Sequence, residues 1–260
     1  MSVAGTYTIE LFRTARHFAP RYELYWMDNR ADWEELNFIS AILRRDDEIT
    51  LINTGLPKDF SEVDRFWRSW DERTNTTVGE GEFILDQLAA RNIAPEQINN
   101  ILVTPLTVYA TGNLHLFPNA KIAFSRQGWI DFQTPDRFSH QLPRPIVMPD
   151  AVHQYLTTAA WSRLRLLGDD EPFNDAIRAK WVGTHHRSSM AYIVNTPMGH
   201  IALTDCVFKY PNIEQHRPLG IQESMAECLR AYDWLSREAD LIIPLYDPEV
   251  FKRFPGGRIQ

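Results

Sequence analysis

Residues 101–120 read Ile101-Leu-Val-Thr-Pro-Leu-Thr-Val-Tyr-Ala-Thr-Gly-Asn-Leu-His-Leu-Phe-Pro-Asn-Ala120. The stretch opens on Ile101-Leu102-Val103-Thr104, a short apolar run of the buried-strand type. Pro105 to Ala110 follows, with the hydroxyl of Thr107 and the phenol of Tyr109 as its polar side chains. Gly112-Asn113-Leu114-His115 reads as a helix-start region and Leu116-Phe117-Pro118-Asn119 as a loop. Ala120 to Phe124 then reads as the next strand, and Ser125 starts a helix.

The pattern extends outward in both directions. Residues 6–12 alternate as a strand does, and so does Glu23-Leu24-Tyr25-Trp26. Residues 36–43 and 48–54 read as a hairpin, closed by two arginines and two aspartates and ended by Thr54-Gly55-Leu56-Pro57. Phe83, Leu85, Leu88 and Ala89 form a helical face ending near Asn92, and Pro95 opens a short turn. Ala151 to Leu167 reads as a helix. Trp181-Val182, Met190 to Asn195 and His200 to Thr204 read as strands, the last two joined by Pro197-Met198-Gly199. Ser224 to Glu238 is a long helix with Met225, Cys228, Leu229, Tyr232 and Leu235 on one face, and Leu241 to Leu245 is a final buried strand. Hairpins outnumber strand–helix–strand crossovers. The order therefore predicts an α/β fold of two mixed sheets with helices outside, an αβ/βα four-layer sandwich forming a single domain over 1–260. The Pro-rich stretch 134–150 carries Phe138, Leu142, Ile146 and Val147 as apolar anchors and suits an insertion, a lid or a homodimer contact.

Composition sets outer limits. Of the 260 residues 44% are hydrophobic and 23% charged, the usual globular mix, which excludes a wholly disordered or collagen-like chain. The net charge of −7 and the scattered Lys and Arg argue against nucleic acid as the main partner. No run of about 18 apolar residues occurs, so no membrane-spanning helix is expected. Met1-Ser-Val-Ala-Gly lacks the basic start and apolar run of a signal peptide. Cys206 and Cys228 are too few for a disulfide framework and read as free thiols of a cytoplasmic protein.

Four segments, in order, resemble the metallo-beta-lactamase fold superfamily, and within it the N-acyl homoserine lactonase-like branch. They are Ile49-Thr-Leu-Ile-Asn-Thr-Gly-Leu-Pro57; residues 101–120; Gly183-Thr-His-His-Arg-Ser-Ser189 leading to Ile201-Ala-Leu-Thr-Asp-Cys206 and Tyr210-Pro-Asn212; and Ile243-Pro-Leu-Tyr-Asp-Pro248 ahead of Arg253-Phe-Pro-Gly-Gly257. Together they span residues 36–257, nearly the whole chain. The resemblance implies a metal site: a His-x-His-x-Asp-His cluster after a buried strand, a further His, a bridging Asp and a final His. Those ligands would hold one or two ions that polarise a carbonyl and generate hydroxide. Here Pro105 and Thr107 stand at the first two His, Tyr109 at the Asp, Ala110 at the third His and Tyr246 at the final His. His185 and Asp205 match the two ligand positions that survive. Asn53 replaces the Asp that supports the metal shell in related proteins. Two ligands are fewer than the three or more of catalytic zinc sites, so the resemblance implies the fold and small carbonyl substrates, with no cofactor expected.

Each candidate has a plain structural alternative. His185 would act as general base or acid, its imidazole suited to work near neutral pH, or be a hydrogen-bonded structural His beside His186. Asp205 would orient His185 as the carboxylate of a catalytic triad does, or cap a turn. Tyr109 and Tyr246 would donate to a developing oxyanion, or plug the former metal cavity. Arg187 and Lys209 would bind a substrate anion, or remain solvated surface charges. Thr107 offers a hydroxyl to substrate, and His186 a second imidazole. Asp247 reads as a turn residue, Cys206 as a buried thiol and His115 as packing.

Three functions are consistent with this pattern. The first is a metal-independent hydrolase, or a lyase, acting on a small ester, lactone, amide or related carbonyl compound through His185, Asp205, Tyr109 and Tyr246. The second is a single-metal hydrolase using His185, Asp205 and Tyr246 or His186. The third is a non-catalytic binding or regulatory protein. The first is preferred, because the surviving and replacing groups are an imidazole, a carboxylate and two phenols, all of which handle protons.

Overall fold

The computed structural model describes residues 5–134 and 143–259. The chain starts with two long antiparallel strands, β1 (Thr8–Pro20) and β2 (Trp33–Arg45), joined through a single helical turn, α1 (Arg21–Leu24). A tight turn at Asp46, whose φ is 52°, leads into β3 (Glu48–Ile52). A short polar Asp tolerates that left-handed conformation better than most side chains. Next come α2 (Ser61–Trp70), β4 (Asn75–Thr77), α3 (Ile84–Ala89), β5 (Asn100–Leu102), α4 (Val108–Thr111), β6 (Lys121–Ser125) and α5 (Arg126–Gln133). Beyond residue 142 lie α6 (Arg144–Val147), α7 (Asp150–Thr157), β7 (Leu164–Leu167), β8 (Asp170–Pro172), β9 (Ile177–Trp181), β10 (Met190–Thr196) and β11 (Gly199–Thr204). The chain closes with α8 (Tyr210–Glu214), α9 (Met225–Glu238), β12 (Leu241–Pro244), α10 (Val250–Arg253) and β13 (Arg258–Ile259).

The strands form two mixed sheets. One runs β13-β1-β2-β3-β5-β6-β7, with β4 on the end of β1; the other runs β12-β11-β10-β9-β8. Their facing surfaces bury Leu11, Ala41, Ile52, Leu102 and Ala123 from the first sheet against Ala179, Tyr192, Leu203 and Ile243 from the second. On the outer face of the first sheet, Leu88 of α3 and Val152 and Leu156 of α7 pack on Leu51, Ile101 and Ile122. On the outer face of the second, Cys228, Ala231, Tyr232 and Leu235 of α9 pack on Ala191, Ile193 and Ala202. This is the four-layer αβ/βα arrangement that the sequence predicts. Each fully buried Leu or Phe in these layers contributes about 1.5–3 kcal/mol relative to its exposed state.

Two expectations fail locally. Residues 23–26 are not a strand: Arg21–Leu24 is a helical turn, and Trp26 N–H is held by the Pro218 carbonyl at 2.8 Å. The helix expected over 151–167 ends at Thr157, and Leu164–Leu167 leaves it to pair in parallel with β6. The amphipathic helix α2 escaped the sequence reading, although Val63, Phe66, Trp67 and Trp70 stand at the i, i+3, i+4, i+7 spacing that signals one. In the 134–150 stretch, residues 135–142 lie outside the described residues, and Arg144–Val147 is a short helix that buries Ile146. Among the described residues no helix is long and apolar enough to cross a membrane. Cys206 and Cys228 are buried free thiols.

Candidate functional site

The loops after the central strands meet at one edge of the two sheets. Asn53, just past β3, adopts φ 59° and clamps the loop after β5. Its Nδ2 donates to the Thr104 carbonyl at 2.8 Å, and its Oδ1 accepts from Thr104 N–H at 2.9 Å. The amide thus uses a donor and an acceptor together, which a carboxylate could not do. Asn113 Nδ2 donates to the carbonyls of Thr54 and Leu56, and Thr54 Oγ1 donates to the Ala110 carbonyl at 2.9 Å. This network locks α4 and fixes Thr107 and Tyr109 on the cavity wall.

Asp205 follows β11 and is fully buried. Ser189 Oγ donates to its Oδ2 at 2.5 Å, and Thr104 Oγ1 donates to its Oδ1. His185 Nδ1 lies 3.3 Å from Oδ2. The chain reaches His185 through two successive left-handed residues, Gly183 (φ 58°) and Thr184 (φ 71°). A β-branched residue at positive φ is strained by about 1–3 kcal/mol, and here the strain turns the end of the β9–β10 loop inward. Burial raises the Asp205 pKa to about 6, against the pull of the Ser189 and Thr104 hydrogen bonds, and lowers that of His185 to about 3. At neutral pH the pair is therefore a carboxylate facing a neutral imidazole. The carboxylate acceptor assigns the ring proton to Nδ1 and leaves Nε2 with its lone pair free.

Above this pair opens a cavity of about 500 Å³. Its floor is aromatic. Tyr109 stacks on Phe38 with ring centres 4.3 Å apart, Phe208 stands edge-on to His185 at 4.6 Å, and Tyr246 stands edge-on to Phe208 at 4.9 Å. The Tyr246 and Tyr109 hydroxyls are 3.4 Å apart. Burial pushes both phenols above their ordinary pKa, so both remain protonated donors. Thr107 Oγ1 is buried on the same wall without a hydrogen-bond partner.

No family model matches the sequence, and no curated protein matches it. Solved structures do match. An N-acyl homoserine lactone hydrolase with N-hexanoyl-L-homoserine bound at its catalytic metal centre superposes with a TM-score of 0.79 at 15% identity, covering 98% of this chain and 99% of that one. A quorum-quenching N-acyl homoserine lactone lactonase gives 0.78 at 16% identity over 100% of both chains. A hydrolase of the beta-lactamase superfamily gives 0.67 at 16% identity, covering 99% and 93%. This is the metallo-beta-lactamase fold. At such identities the likeness speaks for the fold, and the chemistry rests on this chain's own residues.

Within that metallo-beta-lactamase frame, His185, His186, Tyr109, Tyr246 and Thr107 line the cavity, and Asp205 lies directly behind His185. Arg187 and Lys209 do not line it. Arg187 pairs with Glu227 at 2.8 Å and lies over the Trp181 ring, and Lys209 pairs with Glu34 at 2.7 Å. Asp247 accepts Tyr210 N–H at 2.8 Å, the turn role read from sequence. The Cys206 thiol is buried beside Asp205 in sequence but packs into the outer core, and burial pushes its pKa up. His115 is exposed on a short 3-10 turn rather than packed. Sequence reasoning missed Glu23, Trp33, Phe38, Trp67 and Gln222, all on the cavity wall. The α2 periodicity could have found Trp67; no local signal marks the others.

The metal centre that usually accompanies this fold does not fit these residues. Among the described residues no group of three or more His, Cys, Asp or Glu converges. Both oxygens of Asp205 are already engaged by Thr104, Ser189 and His185. Tyr109 and Tyr246 could ligate only as phenolates, and burial pushes both phenols above their ordinary pKa. Pro105, Thr107 and Ala110 offer no imidazole or carboxylate.

Proposed function

We propose that this chain is a metal-independent hydrolase of a small ester, lactone, amide or related carbonyl compound. One observation carries the reading: the His185 Nδ1–Asp205 Oδ2 contact leaves Nε2 free at a cavity that also presents two phenolic O–H groups. Nε2 takes a proton from water as its oxygen adds to the carbonyl carbon. The electron pair of the C=O bond moves onto oxygen, where Tyr109 and Tyr246 donate hydrogen bonds. Asp205 stabilises the imidazolium, which burial alone would make costly. When the tetrahedral intermediate collapses, the Nε2 proton passes to the leaving oxygen or nitrogen. Positioned acid–base catalysis contributes about 10²–10⁴ in rate. A preorganised oxyanion donor contributes about 10²–10³.

The hydrolases and lactonases among the matching structures support a carbonyl substrate. The test is a panel of chromogenic esters and lactones assayed with chelator present. Turnover should persist with chelator and fall at least about 100-fold in His185→Ala and Asp205→Asn. Turnover abolished by chelator, or retained in His185→Ala, overturns the proposal.

A further inference from the structure

We infer that the substrate of this cavity is a protonated amine with an apolar body, its ammonium group held by Glu23 and Gln222 and its carbonyl group presented to His185. The inference rests on the hydrolase reading for the carbonyl end only; the ammonium end stands on the cavity itself.

The lining of the cavity is lopsided in charge. It contains the carboxylates of Glu23, Asp71 and Glu223 and no Lys or Arg. Asp71 is tied to Arg73 through both of its oxygens, at 3.0 and 2.6 Å. Glu23 makes no side-chain hydrogen bond or ion pair among the described residues and is half-buried, and this burial raises its pKa from 4.5 to about 7. A carboxyl without a partner in an apolar wall is costly when ionised, and a ligand cation removes that cost. Beside it, Gln222 Oε1 is a buried acceptor with no donor, while its Nε2 faces Met225 Sδ at 3.7 Å. Two acceptors without donors in one wall call for a group rich in N–H.

The remaining wall suits the same ligand. Trp33, Trp67 and Trp70 line the cavity, and indole faces are the best aromatic partners for a cation. Trp33 already carries one: the Arg73 guanidinium sits 4.7 Å from its ring centre. The half-buried imidazole of His17 and the buried imidazole of His185 are pushed down to about 4 and about 3, so neither adds positive charge that would repel an ammonium group. The two ends of the site line one cavity and are joined by a short piece of chain. Gly220 and Ile221 N–H bind the Glu23 carbonyl at 3.0 and 2.8 Å, and Glu223 N–H binds the Thr184 carbonyl, next to His185, at 2.6 Å. Three residues of chain span at most about 10 Å.

The experiment is calorimetric titration of the intact protein near neutral pH with phenylbutylammonium, its uncharged isostere phenylbutanol, and phenylbutyrate. The ammonium compound should bind at least about 10-fold more tightly than the alcohol, with the carboxylate weakest. Glu23→Gln should bring the ammonium compound to within about twofold of the alcohol, a difference of under about 0.4 kcal/mol, while binding the alcohol as wild type does. His185→Ala should retain the full preference for ammonium. That result separates the ammonium site from the chemistry: loss of turnover with the preference intact bears on the hydrolase reading alone. Equal binding of ammonium and alcohol, a preference unchanged in Glu23→Gln, or no binding of any probe overturns the inference.

Discussion

Glu23→Gln should make the protein more stable at alkaline pH and leave it unchanged at acid pH. The carboxyl has an ordinary pKa of 4.5 and a folded value near 7, because burial disfavours its anion. Between those values the folded state holds a proton that the unfolded chain has lost. Stability therefore falls as pH rises from 4.5 to about 7, and the full cost applies above that. At about 1.4 kcal/mol per pKa unit the ceiling is roughly 3 kcal/mol, and partial solvation of the side chain reduces it to about 1–3 kcal/mol. Glutamine keeps the shape and carries no charge, so it removes the whole term. The assay is urea unfolding of both proteins at about pH 4 and about pH 8, read as the difference in midpoint at equal slope. His17 works in the opposite sense in the wild type, which is why the difference between the two proteins, and not either curve alone, is the measurement. A difference that stays constant with pH, or a variant less stable at about pH 8, would refute the burial argument.

Further expectations follow from the same packing. His17 is half-buried and neutral against Phe38 and Trp67, with its pKa pushed down to about 4. Its unfolded form binds a proton first, so stability is lost as pH falls from about 6.5 to about 4; His17→Phe should flatten that limb by about 2–3 kcal/mol in acid-unfolding curves. Asn53→Asp replaces the donor that holds the Thr104 carbonyl with a carboxylate and should cost about 1–3 kcal/mol in urea unfolding; a neutral effect would show that the clamp is dispensable. A Cβ on Gly128 would come within 2.2 Å of Ser188 Cβ, so Gly128→Ala must displace the loop whose Ser188 Oγ accepts Leu106 N–H; melting should show a loss of about 1–3 kcal/mol. Tyr246→Phe keeps the ring and removes one donor, so kcat on a responsive ester should fall about 10²–10³-fold with KM little changed, and an unchanged kcat would remove Tyr246 from the oxyanion role.

The sequence by itself determined the layers. Ile101–Thr104, Ile201–Thr204 and Leu241–Leu245 read as strands because their apolar runs are short and bounded; the first two lie inside their sheets as β5 and β11, and the third closes the edge of the second sheet as β12. That Gly183–Ser189, Asp205 and Tyr246 belong to one site was legible only through the family resemblance those segments carry. Tertiary structure decided the rest, because the deciding partners are far away in sequence. Glu23–Trp26 alternates like a strand, yet Pro218, Gly220 and Ile221 pin this segment from across the fold, as a helical turn followed by a bend. Leu164–Leu167 continues a helical pattern, yet the unsatisfied edge of β6 draws it into the sheet. Lys209 could not be told from a substrate-binding cation until Glu34 was seen beside it, 175 residues away. Glu23 carried no local mark at all. A side chain's charge state and partners depend on what the folded chain brings against it, and a linear sequence encodes that only through the whole of the packing.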